Sequence, residues 1–366
     1  MKVQLLSRYS RLGASSRLRT MQYLPYLRSV GIDVEVTSLF DDAYLTSMYV
    51  GNKSLRATFD SYRHRLKALR ARPKPDLLWV EYEALPWLPW AIEHALLPAD
   101  VPIASDYDDA IFHRYDLHRR GLVRRILGQK IDRVMEASAV VIAGNPYLAE
   151  RARKAGASRI EIVPTVVDLD AYMVKNWSEG PGSGVVGWIG TPETWQAFGE
   201  PIYETLRPVL TRTGALFRAV GAASSFNKLD NLEVVPWSEK SEAALIRGMD
   251  IGVMPLPDTP WAQGKCGYKL IQYMACGLPV VATPVGVNVE IVDPNVNGYL
   301  AGDETDWRHL VEMLLGNPSL RRSLGEAGRQ KVAAEYSLQV QTPKLAKLLV
   351  DAAGHMTSET VSLSHL

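Results

Sequence analysis

The sequence has little cysteine and no long run of apolar residues. Its 366 residues hold two cysteines, Cys266 and Cys276. Their spacing fits neither a zinc motif nor a disulfide framework, so a reducing compartment is expected. No stretch approaches the roughly 18 apolar residues of a membrane span, and the apolar run at the start is too short for a signal peptide. We therefore expect a cytoplasmic protein that at most touches the inner face of a membrane.

Charge is nearly balanced overall but uneven along the chain. The formal net charge of +1 provides no global field for nucleic acid, so no nucleic-acid partner is expected. Residues 1–170 hold 25 Lys and Arg against 20 Asp and Glu, whereas the remainder holds 16 against 20. This asymmetry predicts that the first half meets an anionic partner or surface.

Short apolar runs alternate with helical patterns, which predicts parallel sheets covered by helices on both faces. The predicted strands are Lys2–Leu6, Asp33–Leu39, Asp76–Tyr82, Pro102–Tyr107, Ala139–Gly144, Arg159–Pro164, Val185–Gly190, Ala215–Gly221, Leu232–Trp237, Ile251–Leu256, Pro279–Thr283 and Gly298–Gly302. Six strands in each half suggest two doubly wound α/β domains. The polar, Gly-rich stretch Val174–Gly184 is a natural linker between them, and residues 358–366 resemble a mobile tail.

The stretch Gly264–Gly286, "GKCGYKLIQYMACGLPVVATPVG", has the pattern of a binding site. Its apolar periodicity predicts a helix that starts near Cys266–Tyr268 and ends before Gly277. Lys265 and Lys269 share the first turn, where they oppose the helix dipole unless an anion is bound. Free backbone N–H groups, small glycines and two ammonium groups together predict a phosphate cradle. The alternative is that both lysines are solvated surface residues.

The segment "YMACGLPVVATPVGVNVEIV" (Tyr273–Val292) resembles the signature of the retaining glycosyltransferases of the GT-B fold, family four type. With "GASSRLR", "DYDDAIF", "GWIGTP" and "GKCGYKLIQYMACGLPVV", the likeness is to a polysaccharide-associated subgroup. The resemblance implies an α/β fold of two facing Rossmann-like domains with a cleft between them. It implies an acceptor domain at 1–173, a nucleotide-sugar domain at 185–339 and a helix at 340–355 that crosses back to the first domain.

The same resemblance implies an enzyme that moves a sugar from a nucleotide-diphosphate sugar to a glycan or lipid-linked acceptor in cell-surface polysaccharide synthesis. Transfer would retain the anomeric configuration and need no metal or other cofactor. Two alternatives remain open: a catalytically degenerate protein that only binds the nucleotide sugar, and a nucleotide-sugar epimerase. A nicotinamide-dependent dehydrogenase is disfavoured because no G-x-G-x-x-G follows a predicted strand.

The sequence departs from the family pattern at the donor site. Of two family glutamates, one usually contacts the donor sugar and the other the ribose; Gly264 and Gln272 stand at these positions. The Arg and Lys that commonly bind the diphosphate after "GWIG" are not visible, so we infer that Lys265 and Lys269 replace them. The predicted diphosphate site comprises Gly190, Thr191, Thr194, Lys265, Cys266, Gly267 and Lys269. The nucleoside site comprises Trp237, Ser238, Gln272 and Glu290.

In the first domain, Asp106 or Asp108 is expected to act as the reaction-side carboxylate, with Asp109 capping a helix. They follow a strand where family members often place a histidine. Gly13, Arg17, Asp109 and Asn145 complete the predicted first-domain side of the cleft. Each of these residues also has a structural alternative. The aspartates or Glu290 could be helix N-caps, and Arg17 could be a surface residue. Trp237 could be part of the core, and Asn145 could be a turn residue.

Residues 53–74 have the pattern of a basic amphipathic helix. Eight Lys and Arg accompany a single acid, Asp60. Its apolar positions are Leu55, Phe59, Tyr62, Leu66 and Leu69. Such a helix suits docking to anionic lipid headgroups or to a diphospho-lipid acceptor. The alternative is a core-facing helix with a solvated basic face. Arg119–Arg133 adds a second basic stretch.

Overall fold

A computed structural model describes residues 1–49, 54–177, 184–222 and 229–354. The chain divides into two units: Met1–Pro164 together with the residues from Thr342 onward, and Thr165–Gln341. Each unit is built on a six-stranded sheet, and the strand pairs are parallel. The predicted α/β architecture with two doubly wound sheets is therefore confirmed.

The sheet of the first unit has the order β2-β1-β3-β4-β5-β6. Strands β1–β6 are Lys2–Tyr9, Asp33–Phe40, Leu77–Glu81, Ile103–Tyr107, Val140–Ala143 and Ile160–Ile162. Helices α1–α9 are Ala14–Arg19, Leu24–Ser29, Asp42–Tyr49, Leu55–Leu69, Trp90–Leu96, His113–Asp116, Gly121–Leu127, Lys130–Glu136 and Pro146–Lys154, with a 3-10 turn at Met21–Tyr23. The strand order reverses direction between β1 and β3.

The sheet of the second unit has the order β12-β11-β10-β7-β8-β9. Strands β7–β12 are Val185–Ile189, Leu216–Val220, Leu232–Val235, Ile251–Met254, Val280–Ala282 and Gly298–Leu300. Helices α10–α18 are Pro192–Thr194, Glu200–Thr213, Glu242–Arg247, Pro260–Gln263, Tyr268–Ala275, Asn288–Ile291, Glu304–Gly316, Pro318–Glu335 and Leu338–Ala352, with a π-helical turn at Trp195–Gly199. Here the order reverses between β7 and β10.

These two reversals matter because ligands of open α/β sheets bind beyond the carboxyl ends of the strands at such switch points. Buried runs explain why the strands lie in the sheet centres. All five residues of β3 and β4 are buried, as are all four of β10. Polar residues that follow these strands are therefore placed at the binding edge of each sheet.

The division between the units falls before the linker that the sequence suggested. Residues from Thr165 belong to the second unit because they pack there: the N–H of Lys175 donates to the carbonyl of Cys276 over 2.8 Å, and Val167 forms a β-bridge with Ser337. Residues 178–183 of the expected linker and the predicted tail 358–366 lie outside the described residues. Helix α18 begins in the second unit, and its residues from Thr342 belong to the first.

Candidate active site

Helix α14 carries the predicted phosphate cradle and lies at the switch point of the second sheet. The hydroxyl of Tyr273 accepts the N–H of Ile189 at the end of β7 over 3.1 Å. At the helix start, Gly267 has φ +66°, and a Cβ there would lie 2.2 Å from Ile291 Cδ1, so a side chain is excluded. At the end, Gly277 has φ +73°, as expected for a C′ glycine. The predicted helix is confirmed.

Lys269 lies on the first turn of α14, and its Nζ is 4.6 Å from the centre of the Trp188 ring. Its side chain is half-buried, and no carboxylate within the described ranges forms an ion pair with it. Burial, reinforced by the charge of Lys265, lowers the pKa of Lys269 to about 7. An anion bound here would restore the charge of this lysine and would also face the helix N-terminus.

Lys265 and Cys266 lie just before α14. The Lys265 ammonium is 5.7 Å from the centre of the Trp261 ring, and its charge helps to lower the pKa of Lys269. Cys266 is buried, as is Cys276, and both are free thiols. Leu270 is the first residue within Gly267–Ile271 whose N–H donates a hydrogen bond to the Gly267 carbonyl, over 2.9 Å. The preceding amides are those that a helix leaves without an intrahelical partner.

The loop after β7 contributes Gly190, Thr191 and Thr194. A Cβ at Gly190 would lie 2.4 Å from Trp188, so the backbone can approach this point only without a side chain. Thr191 and Thr194 form a capping box: each N–H donates to the other's hydroxyl, over 2.9 and 3.3 Å. The Thr194 hydroxyl also donates to the Thr191 carbonyl. These contacts shape the loop, and any bond to a diphosphate would compete with them.

The amide of Gln272 is buried and engaged within the protein. Its Nε2 donates to Tyr172 Oη over 2.7 Å and to Glu242 Oε1 over 2.8 Å. The expected direct contact with a ribose diol would therefore require this amide to exchange partners. Glu242 was not singled out from the sequence, since its partner Gln272 is 30 residues away.

Glu242 also accepts the indole N–H of Trp237 over 2.6 Å. Two of the predicted nucleoside residues therefore converge on one half-buried carboxylate. Ser238 lies beside them, but its hydroxyl shares a hydrogen bond with Ser241 and accepts the Ser241 N–H. Glu290 is exposed on α15, whose N-cap position is Val287, so it does not cap that helix.

The three aspartates at the carboxyl end of β4 have three different environments. Asp106 is buried; its Oδ1 accepts Arg19 Nε over 2.5 Å and its Oδ2 accepts the Trp79 indole over 3.2 Å. Burial raises the pKa of Asp106 even beside that guanidinium. This residue is a buried ion-pair partner and is not placed to reach a substrate, which corrects one of the two expected reaction-side carboxylates.

Asp108 is half-buried and accepts a hydrogen bond from the Tyr82 hydroxyl. Tyr82 has φ +64°, a left-handed conformation that is rare outside glycine and occurs often at functional sites. Asp109 is half-buried, and helix α6 begins only at His113 with Phe112 at its N-cap position. Asp109 therefore does not cap it, whereas Asp108 remains the candidate reaction-side carboxylate.

The other three predicted first-domain residues have structural contacts. Gly13 allows the β1–α1 loop to close on the strand, because a Cβ there would lie 2.3 Å from Tyr9 Cβ. Arg17 is buried on α1, and its Nη1 donates to the Arg11 carbonyl over 3.1 Å. Asn145 caps α9 by accepting the Leu148 N–H over 2.9 Å, which is the turn role that was the alternative for it.

Sequence reasoning missed a charged cluster at the carboxyl end of β3. Glu81, Glu83 and Lys130 are all buried there, with Lys130 Nζ 2.6 Å from Glu83 Oε2. Burial raises the pKa of Glu81 to about 7. Its signal in the sequence was "EYE" at the carboxyl end of the predicted strand Asp76–Tyr82, the same position that drew attention to the aspartates at the end of β4.

Helix α4 divides into two halves. Toward its end, Tyr62 and Leu66 pack on the core and Leu69 is buried, as the core-facing alternative required. Toward its start, Leu55 and Phe59 are 89% and 70% exposed. The second basic helix, α7, repeats this pattern, with Leu122 and Ile126 exposed one turn apart.

Comparison with known proteins agrees with this architecture. Residues 186–317 match the family of group 1 glycosyl transferases. A GDP-mannose-dependent monoacylated alpha-(1-6)-phosphatidylinositol monomannoside mannosyltransferase of Corynebacterium glutamicum is 33% identical over 84 residues, 23% of this chain and 22% of that protein. The putative teichuronic acid biosynthesis glycosyltransferase TuaH of Bacillus subtilis is 23% identical over 210 residues, 53% of this chain and 52% of that protein. The matched part of the chain thus spans about half or less of the length of these relatives.

Among solved structures, HepE of Anabaena in complex with UDP superposes with a TM-score of 0.69. The alignment covers 96% of this chain and 100% of HepE at 16% identity, which establishes likeness of fold. Residues 186–317 therefore resemble the group 1 glycosyl transferases, and the whole chain has the GT-B fold.

Proposed function

We propose that this protein is a retaining glycosyltransferase that moves a sugar from a nucleotide-diphosphate sugar to a glycan or lipid-linked acceptor in cell-surface polysaccharide synthesis. The observation that carries the donor part is Lys269: a half-buried lysine at a helix start, with a pKa lowered to about 7 and without a carboxylate counterion in the described ranges. The donor is held by the second unit and the acceptor by the first.

In this proposal, the donor diphosphate lies against the first turn of α14. Lys269 and Lys265 neutralise its charge, and the first-turn amides of the helix donate hydrogen bonds to it. As the sugar leaves, negative charge grows on the same phosphate, and these groups stabilise it most at that moment. No residue is required as a nucleophile, since the leaving phosphate accepts the acceptor proton in a front-side attack. Asp108 stabilises the developing positive charge on the sugar.

Glu242 is proposed to hold the ribose hydroxyls. The family places a carboxylate at the position of Gln272, and in this chain that amide donates to Glu242 over 2.8 Å. Trp237 donates to the other oxygen of the same carboxylate. Glu242 of α12 thus supplies the carboxylate, and Gln272, which stands where the family has its carboxylate, orients it. HepE binds UDP and the C. glutamicum relative uses GDP-mannose, so both bases are to be tested.

The first unit is proposed to dock on an anionic membrane. No helix in the described ranges is long and apolar enough to span a bilayer. Leu55 and Phe59 on α4, and Leu122 and Ile126 on α7, instead present exposed apolar pairs among arginines. Apolar side chains surrounded by cationic ones are typical of helices that lie in the interface of an anionic bilayer.

The test of donor binding is thermal unfolding against UDP, GDP, ADP and CDP and their sugars. A ligand at 100 times its dissociation constant stabilises the protein by about 2.7 kcal/mol, which a melting curve resolves. One nucleotide series should raise the melting temperature, and Lys269→Ala should weaken that ligand about tenfold or more. Lys347→Ala, an exposed lysine of α18, is the control. If no series raises the melting temperature, or if Lys269→Ala binds as tightly as the wild type, the donor assignment is wrong.

A further inference from the structure

Arg8 lies at the carboxyl end of β1 and is only 8% exposed. Its Nε and Nη1 are buried, and neither has a hydrogen-bond partner in the described part of the chain. A guanidinium is always charged and carries five N–H donors. Leaving such donors unpaired in a buried position is costly, so this site lacks an acceptor group.

The nearest carboxylate does not supply that group. Glu83 Oε1 lies 3.9 Å from Arg8 Nη1, which is too long for a hydrogen bond. Glu83 is already engaged, since Lys130 Nζ is 2.6 Å from its Oε2 and the Tyr115 hydroxyl donates to it over 2.8 Å. Lys130 in turn also pairs with Glu93 over 2.9 Å. The carboxylate of Glu83 therefore has other partners.

A second guanidinium shares the region. Arg114 on α6 is half-buried, and no ion pair of it is formed within the described residues. Its neighbour on α6, Tyr115, donates to Glu83, the carboxylate that lies 3.9 Å from Arg8 Nη1. Burial and then the charge of Arg8 lower the pKa of Arg114, as expected for two like charges in one region. An oxyanion between them would relieve this repulsion and accept the unpaired Arg8 donors.

The location agrees with ligand binding. Arg8 follows the core of β1, and Glu83 comes two residues after β3 ends at Glu81. The order of the first sheet reverses between these two strands, so this edge is the switch point of the first unit. Tyr82, which lies between Glu81 and Glu83 in the sequence, has the positive φ described above.

We propose that Arg8 and Arg114 bind an oxyanion, either a phosphate or a carboxylate, of the ligand that the first unit accepts. If the proposed transferase activity holds, this ligand is the acceptor, and its anionic group is a phosphate ester or a uronate. Arg8 supplies the buried donors, and Arg114 closes the site from its partly exposed side.

The experiment measures thermal unfolding and calorimetric binding with inorganic phosphate and, separately, with glucuronate. Lys269→Ala protein is the background, because this change weakens the anion site proposed for the second unit. Into this background we introduce Arg8→Gln, Arg114→Gln or the control Arg28→Gln. Arg28 is an exposed arginine of α2 in the same unit, so its replacement changes the net charge equally.

We expect one of the two probes to raise the melting temperature of Lys269→Ala protein, and the responding probe names the anion. Arg8→Gln and Arg114→Gln should each weaken its binding about tenfold or more, whereas Arg28→Gln leaves it unchanged. Without any anion, Arg8→Gln should lower the melting temperature little, because it removes only the 3.9 Å ion pair with Glu83 and two donors that had no hydrogen-bond partner in the described residues. A purely structural Arg8 would instead give a large drop.

Two results would overturn the proposal. The first is that neither probe binds the Lys269→Ala protein although the wild type binds phosphate, since the anion site would then belong to the second unit alone. The second is equal binding by Arg8→Gln, Arg114→Gln and their parent. Neither result would contradict nucleotide-sugar binding at α14, so the two proposals fail separately.

Discussion

At the scale of single residues, Lys269 illustrates how a buried charge without a counterion prepares a site for an anion. Folding buries its ammonium group near another lysine, and this burial, reinforced by the charge of Lys265, lowers its pKa from 10.5 to about 7. The protein loses stability through this shift and regains it when an anion binds. Binding sites commonly contain groups of this kind, which lower the stability of the folded protein and contribute to its function.

This shift gives stability a defined pH dependence. Between pH 7 and 10 the unfolded chain keeps the Lys269 proton that the folded protein has lost, so this group makes the free energy of unfolding rise with pH. Lys269→Met should remove that contribution, and it should melt above the wild type at pH 6, where the half-buried ammonium is fully charged. Thermal melts at intervals from pH 6 to 9 measure the difference. A variant that melts below the wild type at pH 6 would show that Lys269 has a stabilising partner.

Glu242 permits a sharper test, because its neighbour Gln272 can take over its charge. Glu242→Gln should weaken nucleotide binding about tenfold or more, since hydrogen bonds from the ribose hydroxyls to a carboxylate are strong. The double variant Glu242→Gln/Gln272→Glu places the carboxylate on the adjacent side chain and should recover most of the affinity. Calorimetry with the nucleotide that stabilises the wild type measures both. Full affinity in Glu242→Gln would exclude the proposed ribose contact.

At the scale of elements, the sequence predicted regular structure better than side-chain partners. All twelve predicted strands are present, and β1 extends three residues further, to Tyr9. The start and end of α14 were predicted because glycine, apolar periodicity and a following proline are local signals. Asp106 was misjudged because its partner, Arg19, is 87 residues away. Gln272 donates to Tyr172, 100 residues away, a contact that no local pattern reports.

The two halves of helix α4 are expected to respond differently to substitution, because its start is exposed and its end packs on the core. Leu55→Ser/Phe59→Ser changes only exposed side chains, so the fold should be retained while co-sedimentation with anionic vesicles falls about tenfold or more. Val296→Ser, which replaces an exposed apolar residue of the second unit, should sediment like the wild type. Vesicles with and without phosphatidylglycerol separate the apolar from the electrostatic contribution. Unchanged sedimentation of the double variant would mean that α4 is only a solvated helix.

At the scale of the whole molecule, the two units are proposed to take chemically different ligands. The first unit has the buried arginine and the basic helices, whereas the second has the lysines of α14. This separation has a physical basis, because each sheet has its own switch point, with Arg8 at the first and Lys269 at the second. The likeness in fold to HepE extends over both units, but it does not determine which groups the switch points bind.

Hydrogen exchange would localise the donor. A bound nucleotide sugar should slow exchange most at Gly267–Ile271 and Gly190–Thr194, because these amides lie at the proposed diphosphate position. The amides of Leu5–Tyr9 in the first unit should change less. Peptide-level exchange with and without the nucleotide sugar measures both regions in one experiment. Protection centred on Leu5–Tyr9 would place the nucleotide in the wrong unit.

The exposed pairs on α4 and α7 also have a consequence for the protein in solution. Leu55, Phe59, Leu122 and Ile126 have no cover in the described chain, and only the repulsion between the surrounding arginines keeps two such faces apart. Salt screens that repulsion without weakening the attraction between apolar groups. The purified protein is therefore expected to remain monodisperse in dilute buffer and to self-associate as salt is added, the reverse of ordinary salting-in.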